Sequence, residues 1–153
     1  MQRVLFVCLG NICRSPTAEG IFREKLAQSH LAEQVECDSC GTAAYHIGKA
    51  PDARSQQAAK QQGYDLSSLR ARQVQGSDFE QFDIICAMDR ANYDDLMAQA
   101  SPDHHHKIHL FLSFAPDLEE TEVPDPYYGG EQGFKQVIKL CEAAADGLLK
   151  RLA

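Results

Sequence analysis

A short stretch near the N-terminus carries residue types that can bind and attack a phosphate. The sequence reads CLGNICRSP from Cys8 onward, directly after an apolar run and directly before a helical pattern. At a turn from a strand into a helix, consecutive backbone N–H groups converge, and the helix dipole adds positive potential. Gly10 and Asn11 are residue types that tolerate the positive φ such a loop requires. The stretch therefore predicts an anion-binding loop.

Cys8 and Arg14 are the reactive pair of this stretch. Arg14 can offer a planar fork to two oxygens of a phosphate, which a lysine could not match. The loop N–H groups and the guanidinium favour the thiolate form of Cys8. Ser15 can donate a hydrogen bond to that sulfur, and Pro16 suits the first turn of a helix. We expect a cysteine nucleophile inside a phosphate cradle.

Two other interpretations of the stretch compete with the phosphate cradle. The first is a structural turn, because a Cys-x5-Arg pattern alone has many chance matches. The second is a zinc site built from Cys8, Cys13, Cys37 and Cys40. The zinc interpretation gives Arg14 no role, and a cation beside the thiolates weakens metal binding. The complete pattern at a strand–helix junction favours the phosphate cradle and no metal.

Length, composition and charge limit what the chain can be. With 153 residues and 44% hydrophobic content, residues 1–153 are expected to form one domain with an adequate core. No run is apolar enough to span a bilayer, and the apolar stretch 4–9 is too short for a signal peptide. We therefore expect a cytoplasmic protein whose six cysteines are reduced. The net charge of −7 argues against nucleic-acid and membrane partners.

The hydrophobic pattern alternates between strands and helices. Short apolar runs predict strands over Val4–Val7, Val35–Ser39, Asp83–Met88 and Lys107–Phe111. Helical spacing predicts helices after Pro16, over Arg54–Gln62 with Gly63 in the C′ position, over Ala91–Gln99, and with an apolar face from Phe134 to Leu152. Such alternation implies a parallel sheet covered on both faces, with the active site at the carboxyl ends of the strands. Cys8 follows the first of them.

The motifs of this sequence resemble those of the low-molecular-weight protein tyrosine phosphatases along nearly the whole chain. Beside CLGNICRSP, the chain carries DSCGTAAYHIGKAPDARS at 38–55, RARQ at 70–73, FDIICAMDRAN at 82–92 and VPDPYYGG at 123–130, in the family's order. The resemblance implies an α/β, flavodoxin-like three-layer fold with a four-stranded parallel sheet and helices on both faces. It also implies hydrolysis of tyrosine-phosphorylated proteins through a cysteinyl-phosphate, with release of inorganic phosphate and no cofactor.

The resemblance also implies a role for individual residues. Cys8 matches the nucleophile, Arg14 the phosphate clamp and Asp125 the general acid. The positions that support the loop in its strained shape hold Asn11, Ser15 and Ser39. The residues expected to contact the substrate are Leu9, Gly10, Asn11, Ile12, Cys13, Ser15, Tyr45, Tyr127 and Tyr128.

Leaving-group chemistry supports the role of Asp125. The oxygen of an aryl phosphate leaves poorly unless it is protonated as the P–O bond breaks, so an acid must face the thiolate across the phosphorus. Asp125 follows the fourth predicted strand, and Pro124 and Pro126 stiffen its loop. An Asp-Pro pair alone is usually a simple turn, but beside the cysteine loop it favours the acid. Four side chains can line a slot for a flat ring: Leu9, Tyr45, Tyr127 and Tyr128. For each of these side chains taken alone, ordinary packing is the simpler interpretation.

Three rival functions share the fold or the loop. Arsenate reductases of this architecture use two further cysteines on a helix after the third strand, and residues 90–100 contain none. Arginine-phosphate phosphatases carry threonine where Ile12 stands, and an apolar side chain suits an aryl ring better than a guanidinium. A non-catalytic phosphate-binding module would need neither the thiol nor the acid.

Other positions depart from the family or support two interpretations. Leu69 stands where several relatives place a histidine that supports the loop, and Tyr45 stands where a tryptophan is frequent. Cys13 is either a redox guard for the nucleophile or a small buried filler. The run His104–His106 is expected to be a solvated turn rather than a metal cluster. Nothing in the sequence fixes the oligomeric state, and a monomer is the expectation.

Overall fold

The computed structural model describes every residue from Met1 to Ala153. Its centre is a sheet of four strands: Gln2–Cys8 (β1), Val35–Gly41 (β2), Ile84–Ala87 (β3) and Ile108–Leu110 (β4). All pairings are parallel, and the strand order is β2-β1-β3-β4. The order reverses beside β1, and open α/β sheets form their binding crevices at the carboxyl ends of strands at such a point. Cys8 is the last residue of β1.

Helices cover both faces of this sheet. They are Arg14–Ala27 (α1), Ala53–Gln61 (α2), Gly76–Gln81 (α3), Arg90–Gln99 (α4) and Glu131–Leu152 (α5). Two 3₁₀ turns, Pro102–Lys107 and Phe111–Phe114, flank β4. Helices α1, α2 and α5 pack together on one face, and α3 and α4 cover the other. The three layers confirm the predicted flavodoxin-like fold. None of the helices is long and apolar enough to cross a membrane.

Strand β1 is the rigid support of the site. The four side chains of Val4–Val7 have no exposed surface. Successive side chains of a strand point to opposite faces, so the two even-numbered ones join the core beneath α1 and α5. The two odd-numbered ones join the core beneath α3 and α4. Burial on both faces explains why the run is continuously apolar, and it leaves Cys8 at the end of the most enclosed strand.

The predicted strands and helices are all present, and their ends differ slightly from the predicted ones. Gly63 has a φ of 92°, which confirms it as the residue that ends α2 in the left-handed conformation. Helix α3 was not predicted. It is six residues long with one buried apolar side chain, Phe79, so it has no helical period to detect. A capping box between Gln75 and Asp78 starts it.

The histidine run lies beside the end of α4, and the cysteines are unpaired. His105 Nε2 lies 3.0 Å from the carbonyl oxygen of Met97 and 3.1 Å from that of Ala100. The stretch forms a 3₁₀ turn without a buried residue, and the half-buried ring of His105 covers the C-terminal end of α4. All six cysteines are free thiols. No three side chains of histidine, cysteine, aspartate or glutamate are positioned to hold a metal ion.

Candidate active site

Two residues give the loop between β1 and α1 its shape. Asn11 has a φ of 58° and is the only residue other than glycine with a positive φ. Its predicted conformation is thereby confirmed, and asparagine tolerates it better than most residues. The same prediction is wrong for Gly10, which does not have a positive φ. Gly10 leaves room for the His46 ring instead, because a Cβ there would lie 2.9 Å from Cδ2 of His46 and the ring would have to shift.

The Cys8 sulfur lies at the base of this loop and is almost completely buried. It accepts a hydrogen bond from the Asn11 N–H at 3.3 Å. The Oγ of Ser15 lies 3.0 Å from the sulfur and can donate to it. Helix α1 begins directly after the loop, so its positive end adds to the same field. The loop therefore directs a backbone donor and the Ser15 hydroxyl at the sulfur.

The Asn11 side chain supports the loop through both its donor and its acceptor atom. Its Nδ2 donates to Ser15 Oγ at 2.7 Å and to Ser39 Oγ at 3.0 Å. Its Oδ1 accepts from the backbone N–H of Arg72 at 3.0 Å. Leu69, which replaces a family histidine, packs against the core instead. The contact expected from a histidine is therefore not needed to satisfy Asn11.

Arg14 is a buried cation beside the nucleophile. Its Nη1 donates to Asp89 Oδ2 at 2.6 Å and to the carbonyl of Val123 at 3.0 Å. Its Nη2 lies 3.7 Å from Asp125 Oδ2. Burial alone lowers its pKa, but the negative charges of Cys8, Asp89 and Asp125 raise it, and the net direction is upward. Arg14 therefore stays protonated, and Nη2, engaged only by the longer contact, can donate to a phosphate oxygen.

Asp89 is a site residue that the sequence interpretation missed. It directly precedes α4, and its Oδ1 accepts the backbone N–H of Asn92 at 2.8 Å while its Oδ2 accepts from Arg14. One carboxylate thus caps a helix and orients the phosphate clamp. A detectable signal was present in the sequence, because an aspartate between a buried strand and a helix is both an N-cap and a residue at the active edge of the sheet.

Asp125 lies in the loop that leads from the second 3₁₀ turn to α5. Its Oδ1 accepts the N–H of Tyr127 at 3.0 Å, and its side chain is 43% exposed. Two contacts anchor the preceding part of this loop. The Val123 N–H donates to the carbonyl of Met88 at 2.8 Å, and the Val123 carbonyl accepts from Arg14. The acid loop is therefore fastened both to the end of β3 and to the phosphate clamp.

A cavity of about 280 Å³ opens above Cys8 and collects the predicted residues. Its lining consists of Cys8, Leu9, Gly10, Ile12, Cys13, Arg14, Tyr45, His46, Asp125, Tyr127 and Tyr128. Two predicted substrate contacts, Asn11 and Ser15, do not line the cavity and are buried behind it. His46 lines it without having been predicted, since a single histidine in a loop has no pattern that assigns it to a site.

Aromatic rings form the rim of this cavity. The His46 ring lies 6.4 Å from the rings of both Tyr45 and Tyr127, at interplanar angles of 80° and 34°. Tyr128 packs edge-on against Tyr127 with ring centroids 5.0 Å apart. Tyr45 and Tyr128 are 72% and 95% exposed, so little of the protein covers them. Exposed rings around a narrow cavity can hold a flat substrate group by its faces.

Cys13 lines the same cavity as Cys8. It is 5% exposed. Burial raises its pKa to about 12, and the charges of Asp52, Cys8 and Asp125 add to the rise against a hydrogen bond from Ser55. Cys13 is therefore a neutral thiol at physiological pH.

The fold and the site together define a class of protein. A flavodoxin-like sheet presents a cysteine sulfur at the end of its first strand, within a loop whose N–H groups and buried arginine are suited to a dianion. A carboxyl group on a separate loop stands beside the arginine. This combination is typical of cysteine-dependent phosphatases.

Comparisons with known proteins identify the family within that class. A model of the low molecular weight phosphotyrosine protein phosphatase family matches residues 3–153. The chain is 41% identical over 150 residues to the low molecular weight protein-tyrosine-phosphatase of Streptomyces coelicolor. The match covers 96% of this chain and 91% of that protein. It is 40% identical over 149 residues to YfkJ of Bacillus subtilis, a low molecular weight protein-tyrosine-phosphatase, covering 97% and 94%.

A solved structure agrees with these relatives. The crystal structure of a protein tyrosine phosphatase from Entamoeba histolytica superposes with a TM-score of 0.96 at 44% identity, covering 99% of this chain and 97% of that one. The chain belongs to the low molecular weight phosphotyrosine protein phosphatase family.

Proposed function

We propose that this protein hydrolyses phosphate monoesters of tyrosine in proteins and that Cys8 carries the phosphoryl group. The observation that carries the proposal is the position of the Cys8 sulfur. It accepts hydrogen bonds at the base of a cavity that also contains Arg14 and Asp125. These three side chains supply the nucleophile, the charge clamp and the acid that a phosphoryl transfer to sulfur requires.

In the first step, the Cys8 thiolate attacks phosphorus. An S–P bond forms as the bond between phosphorus and the tyrosyl oxygen breaks. The loop N–H groups and Arg14 stabilise the charge on the three remaining phosphate oxygens. Asp125 donates its proton to the departing oxygen, so that tyrosine leaves as a neutral phenol. The products of this step are dephosphorylated tyrosine and a cysteinyl-phosphate.

In the second step, a water molecule attacks the same phosphorus. Asp125, now a carboxylate, accepts a proton from the water as the S–P bond breaks. Inorganic phosphate leaves, and Cys8 returns to its thiolate form. One water is consumed for each ester cleaved, and these residues complete the cycle without a cofactor.

The cavity lining favours an aryl phosphate over the alternatives. Leu9 and Ile12 offer apolar surface below the aromatic rim, and a guanidinium donor there would lose hydrogen bonds to water without replacement. An arsenate-reductase relay lacks its cysteines, because α4 contains none. Cys86, in β3, is completely buried, and burial alone raises its pKa. It does not line the cavity, so it is not placed to resolve an adduct on Cys8.

The decisive experiment compares turnover of phenyl phosphate by the parent protein and by Cys8→Ser. We expect the variant to lose turnover while it still folds and binds inorganic phosphate, because the N–H groups and Arg14 remain. Cys37→Ser, the same substitution at a half-buried thiol outside the cavity, should retain activity. Substantial turnover by Cys8→Ser would refute the proposal. Phosphate binding by a parent that has no turnover would instead indicate a non-catalytic module.

The cellular setting is part of the same proposal. The physiological substrates are taken to be tyrosine-phosphorylated cytoplasmic proteins, and the chain is taken to act as a monomeric single domain. The net charge of −7 supports the exclusion of nucleic acid and anionic membranes as partners. Sedimentation of the active protein over a range of concentrations tests the monomer, because a concentration-dependent mass would contradict it.

A further inference from the structure

Helix α1 contains a buried carboxyl group that the reaction does not use. Glu19 is 2% exposed. Its Oε1 accepts the hydroxyl proton of Ser39 at 2.6 Å, and its Oε2 is paired with Arg23. Burial raises its pKa, and the contacts with Ser39 and Arg23 limit the rise. Burying a carboxyl group is costly unless every oxygen is bound, and here both oxygens are.

A continuous chain of hydrogen bonds connects this carboxyl group to the nucleophile. Ser39 Oγ, which donates to Glu19, accepts from Asn11 Nδ2 at 3.0 Å. The same Nδ2 donates to Ser15 Oγ at 2.7 Å, and Ser15 Oγ lies 3.0 Å from the Cys8 sulfur. The chain therefore runs Glu19, Ser39, Asn11, Ser15, Cys8, and all five side chains are buried.

The two ends of the chain fix its direction. The Glu19 oxygen is an acceptor, so the single hydroxyl proton of Ser39 must point to it, and the Ser39 lone pairs then face Asn11. The backbone N–H of Arg72 is a donor, so Asn11 must present Oδ1 to it. A reversed Asn11 amide would place its NH₂ group against that N–H. Asn11 Nδ2 is thereby directed at both serine hydroxyls.

The direction of the chain matters at Ser15. The Ser15 oxygen accepts a hydrogen bond from Asn11. The single Ser15 hydroxyl proton can then be donated either to the Cys8 sulfur at 3.0 Å or to the Cys40 carbonyl at 3.3 Å. A negatively charged sulfur is the stronger acceptor. The proton therefore stabilises the thiolate, provided that Asn11 keeps its orientation.

We propose that Glu19 is a positioning residue for the Cys8 thiolate: it is the acceptor that orients Ser39 and Asn11 and so directs the Ser15 proton at the sulfur. This inference rests on the proposed function, in which Cys8 is the nucleophile. Glu19 touches neither the sulfur nor the cavity, so it acts only through the chain of hydrogen bonds.

Glu19→Gln is the sharpest test because it changes almost no volume. If the glutamine oxygen faces Ser39, its NH₂ group opposes the donor of Arg23. If it is turned round, its NH₂ group faces Ser39, whose proton must then turn toward the NH₂ group of Asn11. Either orientation weakens the hold on the Ser39 proton, because an amide oxygen is a neutral and weaker acceptor than a carboxylate and an NH₂ group is no acceptor at all. Glu24→Gln is the matched control, since Glu24 is an exposed carboxyl group of the same helix bound only by Gln28.

The readout is the ionisation of Cys8, followed by its ultraviolet thiolate absorbance and by the pH dependence of its alkylation with iodoacetate. Glu19→Gln should shift the thiol ionisation to higher pH and lower kcat/KM on the acid limb by roughly tenfold or less, the size of one weakened hydrogen bond. The dependence of the rate on the acidity of the leaving phenol, which measures the contribution of Asp125, should not change. Glu24→Gln should match the parent.

Ser39→Ala removes the next link and keeps the test valid if Glu19→Gln fails to fold. It should shift the ionisation in the same direction. A folded Glu19→Gln or Ser39→Ala protein with a lowered melting temperature but the parent ionisation of Cys8 would overturn the proposal. Both ionisation readouts work without turnover. A failure of the proposed function would appear separately, as a parent that alkylates at Cys8 and hydrolyses nothing.

Discussion

At the scale of single residues, Asp125 was assigned as the general acid because the reaction needs one. It is far from Cys8 in sequence, so no motif links the two residues. The structure places its carboxyl group beside Arg14 and on the cavity wall. Rival acids of the same loop are placed otherwise. Glu122 accepts the backbone N–H of Arg90 at 2.7 Å, and Asp117 does not line the cavity. Asp125 is therefore the carboxyl group to test.

Asp125→Ala should lower turnover of phenyl phosphate by about 10²–10⁴-fold, because the leaving oxygen would depart without a proton. The loss should shrink for phenols that are more acidic. The alkaline limb of the parent's pH profile should also disappear in the variant. Steady-state and burst rates across aryl phosphates of graded leaving-group acidity measure this. An equal loss of intermediate formation for every phenol would assign the acid to another residue, and Glu122→Gln serves as the control.

Cys13 gives a second prediction at the residue scale. Its pKa of about 12 keeps it as a thiol at neutral pH, so peroxide should oxidise Cys8 first. The Cys8 sulfenic acid can then condense with the Cys13 thiol, forming a disulfide and releasing water. Peroxide-treated parent should regain activity with dithiothreitol and show a Cys8–Cys13 disulfide by mass spectrometry. Cys13→Ala should regain far less.

One result would contradict the role of Cys13 as a redox guard. If the parent and Cys13→Ala are inactivated equally irreversibly, and no disulfide between residues 8 and 13 is found, Cys13 is a buried filler. Cys37→Ser should recover like the parent, because that thiol lies in β2 outside the cavity.

At the scale of secondary-structure elements, the start of α4 is coupled to the phosphate clamp through Asp89. Asp89→Asn keeps an oxygen that can cap Asn92 but replaces the charged acceptor of Arg14. A charge-assisted hydrogen bond of this kind contributes about 1.5–3 kcal/mol. We expect KM for phenyl phosphate and the inhibition constant of inorganic phosphate to rise roughly tenfold or more. The melting temperature should also fall, because the buried guanidinium of Arg14 loses its charged partner although the cap remains.

The control for this prediction is Asp94→Asn, which removes an exposed carboxylate from the same helix. Its phosphate inhibition should equal that of the parent. Unchanged phosphate inhibition in Asp89→Asn would show that the clamp does not depend on this contact.

The elements also show what a single sequence can and cannot reveal. The strands and the long helices were predictable because burial of one face gives a helix a periodic apolar pattern, while burial of both faces gives a strand a continuous apolar run. The phosphate loop was predictable because Cys8, Asn11 and Arg14 have types that suit one chemistry. The small size of Gly10 leaves room for the His46 ring. The two residues are far apart in sequence, so this contact could not be predicted from the sequence. Helix α3 depends on a cap rather than on a period.

At the scale of the whole molecule, charge is distributed unevenly between the site and the surface. The chain has a net charge of −7, while the cation of the site, Arg14, is buried and bound to Asp89. The exposed residues 119–122 include three glutamates, and they lie in the same loop as Asp125. A phosphorylated protein therefore approaches a surface that is negative on the whole, toward a cavity that is positive only locally. Long-range steering should act on the residues around the phosphotyrosine rather than on the phosphate itself.

This distribution predicts a preference for phosphotyrosine peptides with basic flanks. At low ionic strength, kcat/KM for a lysine-flanked peptide should exceed that for a glutamate-flanked peptide several-fold, through faster association. The ratio should fall toward one as salt is added, because exposed charges are screened beyond about 10 Å at 0.1 M salt. A variant with Glu119→Gln and Glu120→Gln should show a smaller ratio at low salt and unchanged turnover of phenyl phosphate, since neither residue lines the cavity. A ratio that responds neither to salt nor to these substitutions would mean that side-chain contacts at the aromatic rim, rather than the field of the molecule, select the substrate.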